Sequence, residues 1–229
     1  MNDLTCNCEI CELKDIFLKH ASTSDVENIC NIKVEKEYKS GEIIVNQGEE
    51  INDFSYLKKG LVKLFRLGST GKEQIISIAK PLDFVNLLSI FSDKYYNYSV
   101  SAIADSIICS IKLDEVKRLI LGNGRFAFSI IEKMSRTSDK IIIDSLEIKQ
   151  RQVFGRVAYI LLFFSNYIFS GNLFELPVTR KEIAEITGMT TENIIRTMST
   201  FRKDSIIRIN GKTIEILDKA RLLKISEVS

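Results

Sequence analysis

From Tyr38 to Ile111 short apolar runs rich in β-branched and aromatic residues alternate with glycines: EIIVN, SYLKKGLVKLFRL, QIISIA and YSVSAIADSIICSIK, punctuated by Gly41, Gly48, Gly60, Gly68 and Gly71. Runs of strand length with turn signals at this spacing predict a small antiparallel barrel or sandwich, preceded by a short helix near residues 22–31. The texture then changes. From about Phe126 to Arg151 there is no Gly or Pro, and Ala127, Ile131, Met134, Ser138, Ile141, Ser145 and Ile148 recur at alternating intervals of four and three. That is a seam along one long helix. It packs either on the N-terminal barrel or on its own copy across a two-fold axis. Asp144 continues a seven-residue spacing from Ile130 and Thr137, so a small helix rotation would bring two carboxylates together across the axis and make dimerisation adjustable. Ile131, Met134, Ile141, Asp144 and Ile148 are the expected dimerisation residues.

A second helix, rich in Leu and Phe, is expected from about Gly155 to Phe169, and Pro177 closes the connection that follows. The segment VTRKEIAEITGMTTENIIRTMSTFRK then splits at Gly188 into two short helices. The first starts at about Thr179 with Ile183 and Ile186 as core residues; Ala184 lets a second helix approach, and Gly188 suits a turn of positive φ. Thr190 is the expected N-cap of the second helix. Within that helix Ile194, Met198 and Phe201 form one stripe, and Glu192, Arg196, Ser199 and Lys203 repeat the spacing two residues out of phase, about 200° around the axis. One face packs and the other is left to read. This is helix-turn-helix logic, with the second helix in the DNA major groove. There Glu accepts from the cytosine amino group and Arg makes a bidentate pair with guanine, each discriminating by about 1–3 kcal/mol. The competing reading is an i,i+4 surface pair between Glu192 and Arg196 worth roughly 0.2–0.5 kcal/mol. Downstream, IIRINGKTIEIL places Asn210-Gly211 between alternating runs, a hairpin signal that makes a β wing.

Composition narrows the picture. The 229 residues allow two modest cores. Residues 1–150 carry 20 Lys and Arg against 22 Asp and Glu, whereas residues 151–229 carry 12 against 8; only the C-terminal part is basic. The apolar run AYILLFFSNYIF is too short to cross a bilayer and MNDLTCNCE lacks a signal-peptide pattern, so a cytoplasmic protein is expected. One His, with no Gly-rich phosphate loop or nucleophile motif, leaves no catalytic constellation, so no enzyme is expected. Five cysteines, three of them between positions 6 and 11, point to thiol or metal chemistry rather than a disulfide framework.

Over nearly the whole chain these residues resemble the Crp/Fnr family of bacterial transcription regulators, on the strength of TRKEIAEITGMTTENIIR above all. The resemblance implies an α+β chain: a β-roll of the cyclic-nucleotide-binding, jelly-roll type and a long dimerisation helix in residues 1–150, then a winged helix-turn-helix in residues 151–229. It implies that Glu192 and Arg196 read bases and that Arg180 touches phosphate. The expected DNA-contacting set is Thr179, Arg180, Thr190, Thr191, Glu192, Ile195, Arg196, Ser199 and Lys203. Partners would be a pseudo-palindromic double-stranded DNA site, a second copy of the chain in a homodimer, and RNA polymerase.

The signal is read less directly. Cyclic-nucleotide members carry Gly-Glu and then Arg-Ser in a phosphate cassette, where this chain has Asn86-Leu87 and Asn97-Tyr98 within PLDFVNLLSIFSDKYYNYSV. Without the cation and the Gly, cyclic nucleotide binding is not expected. Cys109 resembles the position where oxygen-sensing members hold a cluster ligand, and Cys6, Cys8 and Cys11 complete the four thiolates of a [4Fe-4S] cluster. The C-x-C spacing departs from the wider spacing in the family. Zinc, a thiol switch or no metal stand beside the cluster, and Cys109, alternating with Ile107 and Ile111, is equally a small core residue. Cys30 is expected to be a buried bystander; His20 is expected to be exposed, or an axial ligand if haem senses nitric oxide. The expectation is a transcription regulator gated by redox, oxygen or nitric oxide at an N-terminal metal centre. Its rivals are a small-organic-effector sensor using the roll near Asn86 and Tyr98, and a structural DNA-bridging protein.

Overall fold

The computed structural model describes residue 20 and residues 22–69, 71–86 and 88–228, and Cys6, Cys8 and Cys11 lie outside the described residues. Two compact units divide the chain, one up to Lys72 with Ile76–Lys140, the other Glu73–Ile75 with Ile141 onward.

In the first unit helix α1 (Thr23–Ile32) is capped by Ser22, whose side chain accepts from the Asp25 amide. Strands β1 (Val34–Tyr38), β2 (Ile43–Val45), β3 (Asp53–Lys59), β4 (Val62–Leu67), β5 (Glu73–Ala79), β6 (Ser99–Ala102) and β7 (Ser106–Lys112) follow. They form two sheets, β1-β7-β3 and β2-β6-β4-β5. The two longest apolar runs are each a pair of strands. SYLKKGLVKLFRL breaks into β3 and β4 at Gly60, whose φ is +94° and where a Cβ would lie 2.3 Å from Ser106 Oγ and 2.5 Å from the Asp105 carbonyl oxygen. Only glycine meets both demands. Phe54, Leu57, Val62, Val100, Ile108, Ile111 and Phe126 belong to the shared core. One ion pair is drawn into it: Lys58 Nζ lies 2.8 Å from both carboxylate oxygens of buried Glu35.

Helix α2 (Leu113–Gly122), which the apolar pattern did not announce, seats Leu113, Val116 and Leu119 in that core. Helix α3 (Gly124–Gln150) is the expected long helix. It carries two apolar stripes rather than one seam. Phe126, Ile130 and Met134 belong to or pack against the roll's core. On the opposite side, within about 60° of Phe128 around the axis, Phe128 (67% exposed), Ile131, Ile142, Ile143 and Leu146 are exposed.

The second unit opens with α4 (Val153–Phe163), buried through Val157, Ala158, Ile160 and Leu161. It does not continue regularly to Phe169. A π-helical turn occupies Phe164–Ile168, where the buried Ser165 hydroxyl donates to the Gly171 carbonyl at 2.9 Å and the Gly171 amide returns a bond to the Ser165 carbonyl. This local tie closes the chain into β8 (Leu173–Glu175). Then come α5 (Arg180–Thr187), α6 (Thr191–Lys203), β9 (Ile207–Asn210), β10 (Thr213–Ile216) and α7 (Lys219–Val228). The small sheet runs β8-β10-β9, antiparallel throughout. Its hairpin pairs Asn210 with Thr213, so the loop is Gly211-Lys212, one residue later than an Asn-Gly loop, with Gly211 at φ +59°. Glycine at the first central position is the type II′ pattern. Among the described residues no helix is long and apolar enough to cross a membrane.

Candidate nucleic-acid interface

The helix-turn-helix is set by its caps. Thr179 and Glu182 form a full capping box: the Glu182 amide donates to Thr179 Oγ1 at 3.1 Å, and the Thr179 amide donates to the Glu182 carboxylate at 2.8 Å. The T-x-x-E spacing that announces it is plain in the sequence. Helix α5 ends at Gly188 in the left-handed conformation, φ +66°, with the Met189 amide bonded back to the Ala184 carbonyl. Thr190 then caps α6, its hydroxyl accepting from the Asn193 amide at 3.2 Å. Both threonine hydroxyls placed in the DNA-contacting set are therefore also structural caps.

Helix α6 buries Ile194, Thr197, Met198 and Phe201 and leaves Glu192, Ile195, Arg196 and Lys203 exposed, with Thr191 and Ser199 half-buried. The surface pair between Glu192 and Arg196 does not form. Arg196 instead donates to Asn193 Oδ1 at 3.1 Å, which leaves the Glu192 carboxylate without a hydrogen-bond or ion-pair partner among the described residues. A first-turn carboxylate is favoured by the helix dipole. Arg180, the first residue of α5, is half-buried; burial draws its guanidinium below the ordinary arginine range, though arginine stays charged. It too has no acceptor among the described residues. A half-buried cation without a partner is costly unless an anion arrives. Beyond the motif, Lys212 at the tip of the wing and Arg208, paired with Glu215, are exposed.

The expected dimerisation residues divide. Ile131 lies on the exposed stripe of α3, Ile141 and Ile148 are half-buried, and Met134 packs against the roll's core. Asp144 is turned away from the exposed stripe, by about 160° from Phe128. It accepts from the Tyr159 hydroxyl at 2.8 Å, while the Arg151 guanidinium lies over the Tyr159 ring at 4.7 Å and donates to the Ser226 carbonyl at 2.6 Å. Burial, then that bond to the Asp144 carboxylate, pushes the Tyr159 hydroxyl well above the usual phenol range. Met134 and Asp144, which the spacing puts on one seam with Ile131, have their partners within the chain, Met134 against the roll's core and Asp144 on Tyr159; the single apolar repeat runs over two different faces. Phe128, Ile142, Ile143 and Leu146 are further exposed apolar residues of α3 that the spacing does not pick out.

In the roll, Asn86 is fully buried. Its side chain accepts from the Ser55 amide at 3.1 Å and donates to the Asp53 carbonyl at 2.6 Å and the Tyr96 hydroxyl at 2.9 Å. It pins the loop to β3, and those bonds occupy the polar atoms a ligand would use. Burial pushes the Tyr98 hydroxyl up to about 12. Cys109, which is in no disulfide, is a fully buried thiol on the central strand β7, flanked in register by Glu35 and Tyr56. Among the described residues no three His, Cys, Asp or Glu side chains are grouped to hold a metal. Cys109 fits as one thiolate of a sulfur-ligated centre, and the other donors would come from cysteines outside the described residues. Cys30, expected to be buried, is half-buried and disulfide-bonded; His20 is exposed.

Residues 35–123 match the cyclic nucleotide-binding domain and residues 155–225 the Crp-like helix-turn-helix domain. The transcriptional activator protein FnrA of Stutzerimonas stutzeri is 26% identical, covering 94% of this chain and 91% of its own. An anaerobic regulatory protein of Aggregatibacter actinomycetemcomitans is also 26% identical, covering 96% and 86%. The fold of FixK2 from Bradyrhizobium japonicum superposes with a TM-score of 0.77 at 20% identity, covering 86% of this chain and 99% of that one. These relatives are regulators and not enzymes. Two domain matches in this order, joined by the long helix and ending in the capped helix-turn-helix, place the chain in the Crp/Fnr family of DNA-binding transcription regulators.

Proposed function

We propose that the chain is a homodimeric regulator that reads a pseudo-palindromic DNA site through α6, with Glu192 and Arg196 on base edges and Arg180 on a phosphate. The observation that carries this is the pair of unsatisfied charges on the helix-turn-helix: Arg180 half-buried, Glu192 exposed, neither with a partner among the described residues. The exposed stripe from Phe128 to Leu146 is the surface for a second copy of α3, since an apolar face of this length on a monomer is a standing cost. The last turns of α3 belong to the DNA-binding unit, held there by the Asp144–Tyr159 bond and, just past the helix, the Arg151–Ser226 bond, so a change in how two α3 helices pair would move the recognition helices with them. RNA polymerase is the expected further partner once DNA is bound.

The signal we assign is redox, oxygen or nitric oxide. With the Cys30 disulfide reduced, Cys109 with Cys6, Cys8 and Cys11 would hold a [4Fe-4S] cluster, and the cluster would supply an oxidant-sensitive link between those cysteines and the roll. Cys109, buried on β7 beside the Glu35–Lys58 pair, supplies a fixed point in the roll for that link. The relative named for anaerobic regulation supports this reading. A thiol switch is the second reading, favoured by the disulfide at Cys30 while Cys109 stays reduced. Haem or a small organic effector finds less support, given an exposed His20 and a fully engaged Asn86.

Two experiments test the proposal. Footprinting on a duplex enriched from random sequence should show two protected half-sites about one helical turn apart; protection without sequence preference contradicts it. Anaerobic purification should give iron and sulfide in equal amounts and DNA binding that air abolishes. A colourless protein with full, air-stable binding refutes the cluster.

A further inference from the structure

Ile195 is 54% exposed in the second turn of α6. The packing stripe of that helix is complete without it, in Ile194, Thr197, Met198 and Phe201. Its neighbours on the open face, Glu192, Arg196, Ser199 and Lys203, are all polar or charged. Among the described residues of α5 and α6 it is the one large apolar side chain left exposed, so the two helices themselves offer no wider apolar patch around it. Helix propensity gives no reason for it either, because a β-branched residue is poorer at an exposed helical position than Leu, Lys or Glu.

The chemistry of the major groove supplies a reason. The thymine 5-methyl is the one apolar group among the base edges there, and aliphatic side chains recognise it by contact. Resting on the reading of α6 as the groove helix, we infer that Ile195 is a specificity-determining residue that selects a thymine by packing on its methyl group. Ile195 stands about 1.5 Å along the axis and 100° around it from Arg196. The chosen thymine therefore lies within about one or two base pairs of the guanine that Arg196 reads. Cytosine at that position would lose the methyl contact and set an amino group that needs an acceptor against an aliphatic surface.

The test uses the full-length protein and a site enriched from random duplexes. Each thymine is replaced in turn by deoxyuridine, which removes the methyl and keeps every hydrogen-bonding group. At one thymine per half-site the replacement should weaken binding about three- to tenfold, and elsewhere it should have little effect. Ile195→Ala should bind thymine and uracil equally at that position while keeping the guanine preference of Arg196, and Ile195→Val should keep part of the penalty. An unchanged thermal melt for Ile195→Ala confirms an intact fold, as expected for a side chain outside the core. Tolerance of uracil at every position, or a penalty that persists in Ile195→Ala, overturns the inference while leaving α6 as the reading helix. If no sequence is enriched at all, the reading of α6 fails and this inference fails with it.

Discussion

Replacing Arg180 with Ala removes a half-buried guanidinium that has no acceptor in the protein itself. If its partner is a phosphate, the loss belongs to the sequence-independent part of binding. Each phosphate neutralised contributes about 0.9 to the slope of log affinity against log salt, so two subunits should lower that slope by about 1.8. The loss should be the same on a specific site and on its single-base variants, because phosphate contacts carry no base information. Arg180→Lys should restore most of the slope, since it keeps the charge, and less of the affinity, since it loses the forked geometry. Folding stability should hold or rise slightly, because the variant no longer buries an unpaired cation. The assay is fluorescence anisotropy on one duplex over a salt series, with a thermal melt alongside. An unchanged salt slope, or a loss confined to particular base pairs, would show that Arg180 does not meet the backbone.

Two further outcomes follow from the roll. Gly60→Ala should destabilise the N-terminal unit by about 2–4 kcal/mol in denaturant titration, because its Cβ would fall 2.3 Å from Ser106 Oγ at a φ of +94°; a change below about 0.5 kcal/mol would contradict that packing. Tyr98, with an ordinary unfolded value near 10 and a folded value of about 12, makes stability independent of its titration below pH 10. Between pH 10 and 12 the unfolded chain sheds the proton first, so stability falls by up to about 2–3 kcal/mol. Tyr98→Phe should flatten that alkaline limb, and an unaltered limb would count against the burial.

Much of the DNA-binding unit was legible because its signals are local. A T-x-x-E box, an αL glycine at 188, a cap at Thr190 and two stripes on α6 agree at every level, which is how a sequence specifies one structure. What was not legible depends on specific side-chain bonds that no apolar period announces. The π-helical turn at Phe164–Ile168 accompanies the Ser165–Gly171 bonds, and Asn86, read as a ligand position, is consumed by Ser55, Asp53 and Tyr96. On α3 the apolar residues lie on two different faces, and a heptad drawn through them takes Met134 and Asp144, which have partners within the chain, together with the exposed Ile131. Burial decides between those faces where spacing does not. Helix α2 was missed because its run of ten residues adjoins β7 and α3 with only Asn123 marking the break to the longer helix.

On this reading α6 distinguishes bases through Arg196. The most direct measurement is the affinity of wild type and Arg196→Ala for an enriched site and for each of its single-base-pair variants at fixed salt. The variant should lose about 1–3 kcal/mol of discrimination at one guanine per half-site and keep its preferences elsewhere. Equal weakening on every sequence would contradict the account.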